Sequence, residues 1–241
     1  MKDAIVIIPT YNEIANIEAI IRAVYDQSSD IHVLIIDDNS PDLTANKVKE
    51  LQNEFQGTLF LISRNGKQGL GTAYIYGFKW CLARSYKYIF EMDADFSHDP
   101  KDLIKLYNAC ALQGADMSIG SRYVTGVNVV NWPMGRVLMS YLASKYVRVI
   151  TGMKINDTTA GFVCYKRETL EALDLNKIKF IGYAFQIEMK FKTYLKKFKI
   201  IEVPVIFTDR TKGESKLSKG IISEAIFGVI SMKLRSIFKK Y

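Results

Sequence analysis

Long apolar runs, proline, cysteine and histidine are all scarce in this chain of 241 residues. No stretch of 18 residues lacks a charged side chain, which excludes the apolar span that a transmembrane helix requires. With 49% hydrophobic residues and only 5 prolines and 15 glycines, the chain is neither collagen-like nor disordered. The two histidines, His32 and His98, form no cluster with cysteine, which excludes a zinc site. The sequence therefore predicts a globular chain with one sizeable core.

The few cysteines and the first residues indicate the compartment. The three cysteines are far apart and form no CxxC pair, the usage typical of buried thiols in an intracellular protein, so we expect no disulfide. The apolar run at the N-terminus ends at Pro9 without a small-residue cleavage site, which favours a first strand over a signal peptide. We expect a cytoplasmic protein.

Positive charge is concentrated at the C-terminal end. Residues 190–241 carry 13 Lys or Arg and 4 Asp or Glu, whereas the other 189 residues carry 20 and 21. This segment supplies the excess behind the net charge of +8. Such a segment suits an anionic partner, either a membrane surface or a nucleic acid. A solvated helix face that aids solubility explains it as well.

Short apolar runs alternate with helical patterns in the first half of the chain. The runs predict strands at residues 4–8, 31–36, 58–62 and 88–92. Between them, helices are predicted after a cap at Asn12, over 43–55, from the glycines at 66–71 to about 82, and from Pro100 onward. This alternation is typical of an open, mostly parallel α/β sheet flanked by helices.

The second half is more mixed. The sequence predicts a long helix over 132–150, strands over 161–165 and 199–207, and an amphipathic basic helix over 219–238. We therefore expect one continuous domain over residues 1–217 that ends in a basic amphipathic C-terminal helix within 218–241.

Each predicted strand of the first half ends in a polar cluster. The clusters are residues 9–13, 37–40, 64–66 and 93–95. Because ligands bind beyond the carboxyl ends of parallel strands, the four clusters predict one site. For a single cluster, and for Asp37–Asp38 in particular, turn formation or helix capping is an equally good explanation.

Asp93 and Asp95 are the strongest metal candidates. Residues two apart on an extended segment project to the same side, so both carboxylates can bind one hard divalent cation that carries an anionic ligand. Phosphate is the expected ligand class. No segment matches a P-loop. The glycines at 66–71 do not form a dinucleotide-binding pattern either, because Tyr74 occupies the position of its last glycine. A metal ion, rather than a glycine-rich loop, is therefore expected to hold the phosphates.

Basic residues predict a second anionic site. Arg122 follows a predicted strand, and Arg136 and Ser140 share one face of an apolar helix because they are four residues apart. Arg210 and Lys216 lie in a polar turn after the last predicted strand. Together they suit a phosphate presented beside apolar surface, as in a lipid phosphate.

The order of these blocks resembles a known family. IIPTYNE, IIDDNSPD, MDADFSHDP, NWPMGRVLMS and FTDRTKGESKLS are similar to blocks of the dolichyl- or polyprenyl-phosphate mannosyltransferases of glycosyltransferase family 2. The last two blocks are the ones most particular to the lipid-phosphate branch. The resemblance implies a GT-A fold and an inverting transfer of mannose from GDP-mannose to a polyprenyl monophosphate.

The resemblance also implies roles by position. Residues on the donor side are Pro9, Tyr11, Glu13, Asp38, Asp93, Ala94, Asp95, Arg210 and Lys216. The metal, Mg²⁺ or Mn²⁺, is expected at Asp93, Asp95 and Ser97, where Ser97 replaces a glutamine found in some members. The acceptor phosphate is expected at Arg122, Arg136 and Ser140. The residues expected to carry catalysis are Asp95, Arg122, Arg136 and Arg210.

Three alternatives stay open. UDP-glucose could replace GDP-mannose as the donor, because the sequence alone identifies neither the base nor the sugar. Asp37–Asp38 on an α/β sheet is also typical of a phosphoacceptor signalling domain, although a second carboxylate pair is surplus to that role. A nucleic-acid-binding module is disfavoured because no recognition motif is present. The resemblance implies a peripheral enzyme at the cytoplasmic face of the membrane, with or without a separate membrane subunit. With a lipid acceptor, the helices over 132–150 and within 218–241 are expected to face that membrane; the alternative is that both pack on the sheet.

Overall fold

The computed structural model describes residues 1–209 and 221–238. Its strands are β1 Ala4–Thr10, β2 His32–Asp37, β3 Leu59–Ser63, β4 Tyr88–Glu91, β5 Met117–Ser121, β6 Val129–Val130, β7 Val163–Lys166, β8 Ile200–Pro204 and β9 Phe207–Thr208. Its helices are α1 Ile17–Tyr25, α2 Thr44–Leu51, α3 Leu70–Leu82, α4 Leu103–Ala111, α5 Met134–Thr151, α6 Arg167–Ala172, α7 Tyr183–Leu195 and α8 Ile221–Ile237.

Seven strands form the central sheet in the order β3-β2-β1-β4-β7-β5-β8. All neighbouring pairs are parallel except the two that β7 makes with β4 and β5. After β3 the chain returns to the other side of β1 to form β4, so the strand order reverses between β1 and β4. A reversal of this kind opens a crevice at the carboxyl ends of the strands, where a ligand can bind.

The core consists of two apolar layers, one on each face of the sheet. Side chains alternate along a strand, so Ile5 and Ile7 enter one layer while Val6 and Ile8 enter the other. Helices α3, α5, α7 and α8 contribute to the first layer, and α1, α2 and α4 to the second. This three-layer arrangement confirms the predicted open sheet flanked by helices.

Several predicted boundaries differ from the structure. Asn12 does not cap the first helix: its φ is 56°, its N–H donates to Ser40 Oγ, and the helix begins at Ile17. The predicted helix over 132–150 begins only at Met134, because Pro133 at its N-cap is extended. The predicted strand over 199–207 divides into β8 and β9, which pair with different neighbours.

The C-terminal helix α8 packs against the domain along one face. Val229 and Met232 are fully buried in the first apolar layer. The Tyr146 hydroxyl donates to the Ile226 carbonyl at 2.9 Å, and Lys233 Nζ donates to the Thr151 carbonyl at 3.1 Å. Among the helices described, none is long and apolar enough to cross a bilayer.

Candidate functional site

Asp37 stabilises the turn that follows β2. Its carboxylate accepts hydrogen bonds from the Thr10 hydroxyl at 3.0 Å and from the Ser40 backbone N–H and hydroxyl at 2.9 and 2.6 Å. The side chain is fully buried. Turn formation, the alternative left open for the Asp37–Asp38 pair, therefore accounts for Asp37.

Asp38 forms an ion pair that the sequence did not predict. Arg64 donates from Nε and Nη2 to both carboxylate oxygens of Asp38 at 2.6 and 2.7 Å, and from Nη1 to the Thr72 hydroxyl at 2.7 Å. Arg64 follows β3, where Ser63 pairs with Asp37 in parallel register, so the next residue of each strand lies beside the other. The sequence analysis placed Arg64 in the polar cluster at residues 64–66, but its pairing with Asp38 could be predicted only from the register of β2 and β3.

The loop after β1 lies beside this pair. The Glu13 N–H donates to the Thr44 hydroxyl at 3.0 Å, and its carboxylate accepts from Asn16 Nδ2 at 3.0 Å. Lys67 Nζ lies 5.4 Å from the centroid of the Tyr11 ring. The predicted donor-side residues of β1 and β2 therefore gather at one edge of the sheet, with half-buried Pro9 at the end of β1.

Asp93, Asp95 and Ser97 lie in the loop after β4. The strand ends at Glu91, so this loop, rather than strand alternation, sets the directions of the two carboxylates. Asp95 is buried and accepts from the Ser97 N–H at 3.0 Å, and Ala94 between the carboxylates is also buried. The Ser97 hydroxyl is buried and has no hydrogen-bond partner among residues 1–209 and 221–238.

His98 lies beneath the same loop as a neutral ring. It stacks on Phe162 with a centroid distance of 4.9 Å, and its Nδ1 accepts from the Asp93 N–H at 3.2 Å. Burial lowers the pKa of His98 to about 4. The imidazole is therefore uncharged near neutral pH and positions the Asp93 backbone.

A cleft of about 410 Å³ opens beside this loop. Its lining includes Asp95 and Phe96 from the loop after β4, and Thr208 and Asp209 from the end of β9. None of the described predicted arginines lines this cleft, but Asp209, which does, contacts Arg136.

Arg122 is held in a buried ion pair with Asp157. Its Nε and Nη2 each donate to one Asp157 oxygen at 2.6 Å, its backbone N–H donates to the same carboxylate at 3.0 Å, and Nη2 also donates to Thr159 at 2.8 Å. Although burial alone raises the pKa of Asp157, the Arg122 charge holds it below the ordinary value. The sequence analysis gave Asp157 no role, because its pairing with Arg122 joins segments that are 35 residues apart.

The Arg122 guanidinium lies over the rings of Tyr123, Trp132 and Phe207, here called the aromatic cluster, and Arg136 lies over the Trp132 ring of this cluster. The Arg136 guanidinium carbon is 4.0 Å from the Trp132 ring centroid, and that of Arg122 is 5.6 Å from it. Arg136 Nη1 also contacts Asp209 Oδ1 at 2.8 Å. Ser140 accepts a hydrogen bond of 2.8 Å from the Tyr123 hydroxyl, and the Arg122 guanidinium lies 5.2 Å from the Tyr123 ring. The structure thus brings Arg122, Arg136 and Ser140 together; Arg210 and Lys216 lie outside the described residues.

Comparison with known proteins gives the family. Residues 5–174 match the profile of Glycosyl transferase family 2. The chain belongs to glycosyltransferase family 2. It is 43% identical over 231 residues to the polyprenol monophosphomannose synthase of Mycolicibacterium smegmatis, covering 96% of this chain and 87% of that protein. It is also 43% identical over 223 residues to the undecaprenyl-phosphate mannosyltransferase of Micrococcus luteus, covering 92% and 90%.

Solved structures confirm the GT-A fold of this family 2 chain. Glucosyl-3-phosphoglycerate synthase from Mycobacterium tuberculosis, in complex with Mn²⁺, uridine diphosphate and phosphoglyceric acid, superposes with a TM-score of 0.69 at 17% identity. The match covers 97% of this chain and 77% of that one. The similarity to polyprenyl-phosphate mannosyltransferases predicted from the sequence is likewise confirmed.

The residues after β4 suit the divalent cation that a family 2 enzyme of this fold implies. Within the described ranges, no three His, Cys, Asp or Glu side chains group as metal ligands. Mg²⁺ and Mn²⁺, however, are hard cations that proteins commonly bind through one or two carboxylates, with substrate phosphates and water completing the coordination. Asp93 and Asp95 could supply the two carboxylates of such a site, and the Ser97 hydroxyl, which has no hydrogen-bond partner among the described residues, could supply a third oxygen.

A buried polar network connects the two halves of this family 2 site. Gln186 Nε2 donates to the Glu91 carboxylate at 2.6 Å, and Lys190 Nζ donates to Gln186 Oε1 at 3.1 Å and to the Ala160 carbonyl at 2.6 Å. Burial raises the pKa of Glu91 and lowers that of Lys190, while each partly offsets the shift of the other. The network therefore connects β4, which precedes the metal candidates, to the loop that carries Asp157.

Proposed function

We propose that this chain transfers mannose from GDP-mannose to a polyprenyl monophosphate, with inversion at the anomeric carbon. One observation carries the proposal. Arg136 lies on the aromatic cluster and contacts Asp209, and Asp209 lines the same cleft as Asp95. A cationic site beside apolar surface is thus adjacent to a pair of carboxylates suited to a metal ion. The names of the relatives at 43% identity agree with this substrate class.

On the donor side, the polar ends of β1, β2 and β4 hold the nucleotide sugar. Asp93, Asp95 and Ser97 would hold Mg²⁺ or Mn²⁺, which supplies positive charge to the diphosphate leaving group. The nucleotide contacts are assigned to Pro9, Tyr11, Glu13, Asp38 and Ala94, and the diphosphate contacts to Arg210 and Lys216. Arg64 keeps the Asp38 carboxylate in one orientation through two hydrogen bonds.

On the acceptor side, Arg122, Arg136 and Ser140 bind the lipid phosphate. Arg122 is neutralised in part by Asp157, so it orients the phosphate without adding an uncompensated charge. Arg136 is the more exposed guanidinium, with 30% of its side chain accessible, and it meets the phosphate at the surface. Arg136 thus attracts the acceptor phosphate, and the partly neutralised Arg122 orients it, so that the attacking phosphate oxygen keeps its reactivity.

The reaction then needs no general base. The acceptor phosphate is ionised near neutral pH, and one of its oxygens forms a bond to C1 of mannose while the bond from C1 to the GDP oxygen breaks. The electron pair of the broken bond leaves with GDP. The protein contributes alignment of the two anions and electrostatic stabilisation of the leaving diphosphate, with Asp95, Arg122, Arg136 and Arg210 as the residues that carry it.

The acceptor also implies a lipid surface. Three exposed apolar residues follow the helical repeat along α5: Met134, Leu138 and Leu142. Exposed apolar residues on α8 are Ile226, Phe227, Ile230, Leu234 and Ile237, and the exposed Phe238 directly follows the helix. We assign these residues of α5 and α8, here called the apolar face, to the membrane interface, with the basic segment 218–241 drawn to anionic headgroups. The enzyme would act as a peripheral protein at the cytoplasmic face, alone or with a separate membrane subunit.

The direct test is product identification. The protein is incubated with labelled GDP-mannose, Mg²⁺ or Mn²⁺, and a panel of polyprenyl monophosphates, and the lipid is analysed by mass spectrometry. The expected product is the lipid plus one hexose, joined by a phosphodiester. Parallel reactions with UDP-glucose distinguish the alternative donor. A lipid that gains no hexose from GDP-mannose with any acceptor refutes the proposal.

A further inference from the structure

Two arginine–aspartate pairs lie on the same aromatic cluster, and they differ in accessibility. The Arg122–Asp157 pair exposes 9% and 0% of its side chains, and the Arg122 backbone N–H also donates to Asp157. The Arg136–Asp209 pair exposes 30% and 27%, and it is made at Arg136 Nη1. The first pair is built into the fold, whereas the second is open to exchange with solvent anions.

The backbone fixes the position of Asp209 on the lining of the cleft. The Asp209 N–H donates to the Val130 carbonyl at 3.0 Å, which continues the pairing of β6 with β9. Its carboxylate therefore contacts Arg136 from a position that the backbone supports, and Asp95 lines the same cleft.

Trp132 supports the guanidinium independently of Asp209. The Arg136 guanidinium carbon lies 4.0 Å from the ring centroid, and Trp132 packs edge-on against Phe207 at 5.2 Å. The indole Nε1 is buried and has no hydrogen-bond partner within the part of the chain that the structure describes. Arg136 would therefore keep a stacking partner if Asp209 moved away.

We propose that the Asp209 carboxylate occupies the place of the acceptor phosphate on Arg136 and is displaced from it when the lipid phosphate binds. Carboxylate and phosphate oxygens accept from the same guanidinium donors, so the two anions compete for one cation. A phosphate carries the greater charge, and it repels a carboxylate left at the same donor. Asp209 is thus a positioning residue that holds Arg136 ready in the absence of acceptor. This inference rests on the proposed function, because it takes Arg136 as the phosphate ligand.

If Asp209 competes with the acceptor phosphate, removing the Asp209 charge should strengthen acceptor binding rather than weaken it. Asp209→Asn removes the competing charge and should bind the acceptor about twofold to fivefold more tightly, the range expected for losing a partly exposed ion pair. If Asp209 merely oriented Arg136, the same substitution would weaken acceptor binding. Glu171→Gln is the matched control, because it removes a carboxylate that contacts Arg167 at 2.6 Å, remote from the cleft lining.

Tryptophan fluorescence gives a direct binding readout. The sequence contains two tryptophans, so Trp80→Phe leaves Trp132 as the one indole of the chain. This full-length protein, with and without Asp209→Asn or Glu171→Gln, is titrated with farnesyl phosphate, with farnesol and with inorganic phosphate. The expected result is tighter binding of farnesyl phosphate by Asp209→Asn alone, a weaker response to inorganic phosphate, and none to farnesol. In steady state the acceptor KM should fall while the GDP-mannose KM does not fall with it.

The outcomes separate the two proposals. Saturable binding of farnesyl phosphate to the protein with Asp209 intact, with equal or weaker binding to Asp209→Asn, overturns the competition and leaves the proposed function standing. Absence of farnesyl phosphate binding together with absence of mannosyl transfer overturns the proposed function, and the competition with it.

Discussion

At the scale of single residues, identical side chains differ in what they can do. Asp37 and Asp38 are adjacent, yet Asp37 accepts two hydrogen bonds from Ser40 within a turn and one from Thr10 on β1, whereas Asp38 pairs with Arg64. Asp95 accepts from the Ser97 N–H and also lines the open cleft. Its combination of burial and cleft access is what a metal-binding carboxylate requires, because the cation must be reached by the diphosphate from outside.

Asp95→Ala should abolish mannosyl transfer while the fold stays intact. The substitution removes one of two carboxylates available to the cation, so the loss should exceed a hundredfold in kcat/KM if the metal stabilises the leaving group. Asp26→Ala, which changes an exposed carboxylate on the lining of the same cleft, should stay within about twofold. Circular dichroism checks the fold of both variants. Near-normal turnover by Asp95→Ala would contradict the metal assignment.

His98 makes the stability of the protein depend on pH in a defined direction. Its pKa in the folded state is about 4, below the usual 6.5, so the unfolded chain binds the proton more readily. The stabilisation is fully present above pH 6.5 and is lost as the pH falls from 6.5 towards 4. The size of the loss is on the order of 3 kcal/mol.

Chemical denaturation between pH 7 and pH 4, in the presence of EDTA, measures this dependence. His98→Asn keeps an acceptor for the Asp93 N–H but does not titrate. The free energy of unfolding of the wild type should therefore fall more steeply with acidification than that of the variant. Parallel curves for the two proteins would show that His98 is not the titrating group.

At the scale of elements, close packing and exposed apolar surface lie on different parts of the helices. The first turn of α3 meets α7 at a glycine: a Cβ on Gly71 would lie 2.8 Å from two ring atoms of Phe185 and 3.0 Å from the Phe180 carbonyl oxygen. The first turn of α5 is open, and a Cβ on Gly135 would meet no atom within 4 Å. The two glycines occupy the same position, the second residue of their helices.

This pair gives a matched test of the contact between α3 and α7. Gly71→Ala should lower the free energy of unfolding by about 1–3 kcal/mol, because a ring and a backbone carbonyl must move. Gly135→Ala should leave it unchanged or raise it by up to about 1 kcal/mol, since alanine favours the helix. Urea denaturation of the two variants beside the wild type measures both values. Equal destabilisation by the two substitutions would argue against the close packing of α3 on α7.

The apolar face of α5 and α8 should govern membrane binding. Phe227 is 72% exposed on α8, whereas Leu112, at the end of α4, is 78% exposed on another element. Phe227→Asp removes about 2 kcal/mol of apolar transfer and adds a negative charge, so binding to anionic liposomes should fall at least tenfold. Leu112→Asp adds the same charge elsewhere and should have a much smaller effect. Flotation at low salt compares them, and equal losses would place the membrane contact elsewhere.

At the scale of the whole molecule, the sequence predicted most of the sheet but none of the ion pairs at the site. Runs such as residues 4–8 are apolar on both faces, which favours a strand buried on both sides of a sheet, and β1 forms there. The antiparallel direction of β7 was not predictable, because its apolar run fits either direction.

Contacts between distant segments account for the residues that the sequence analysis left without a role. Arg64 and Asp38 are 26 residues apart, and Arg122 and Asp157 are 35 apart. Such pairs depend on strand register and on loop paths, which local patterns do not specify. The resemblance to a family had named Arg122, Arg136 and Ser140, and the fold brings them together around Tyr123 and Trp132.

The central claim is that two anionic substrates are held side by side, the donor at the loop after β4 and the acceptor phosphate at the arginines. Steady-state kinetics of Arg136→Ala test it most directly. Losing a charged hydrogen bond to the phosphate should raise the polyprenyl-phosphate KM at least tenfold and leave the GDP-mannose KM within about twofold. Equal increases in both constants, or an increase for GDP-mannose alone, would contradict the account.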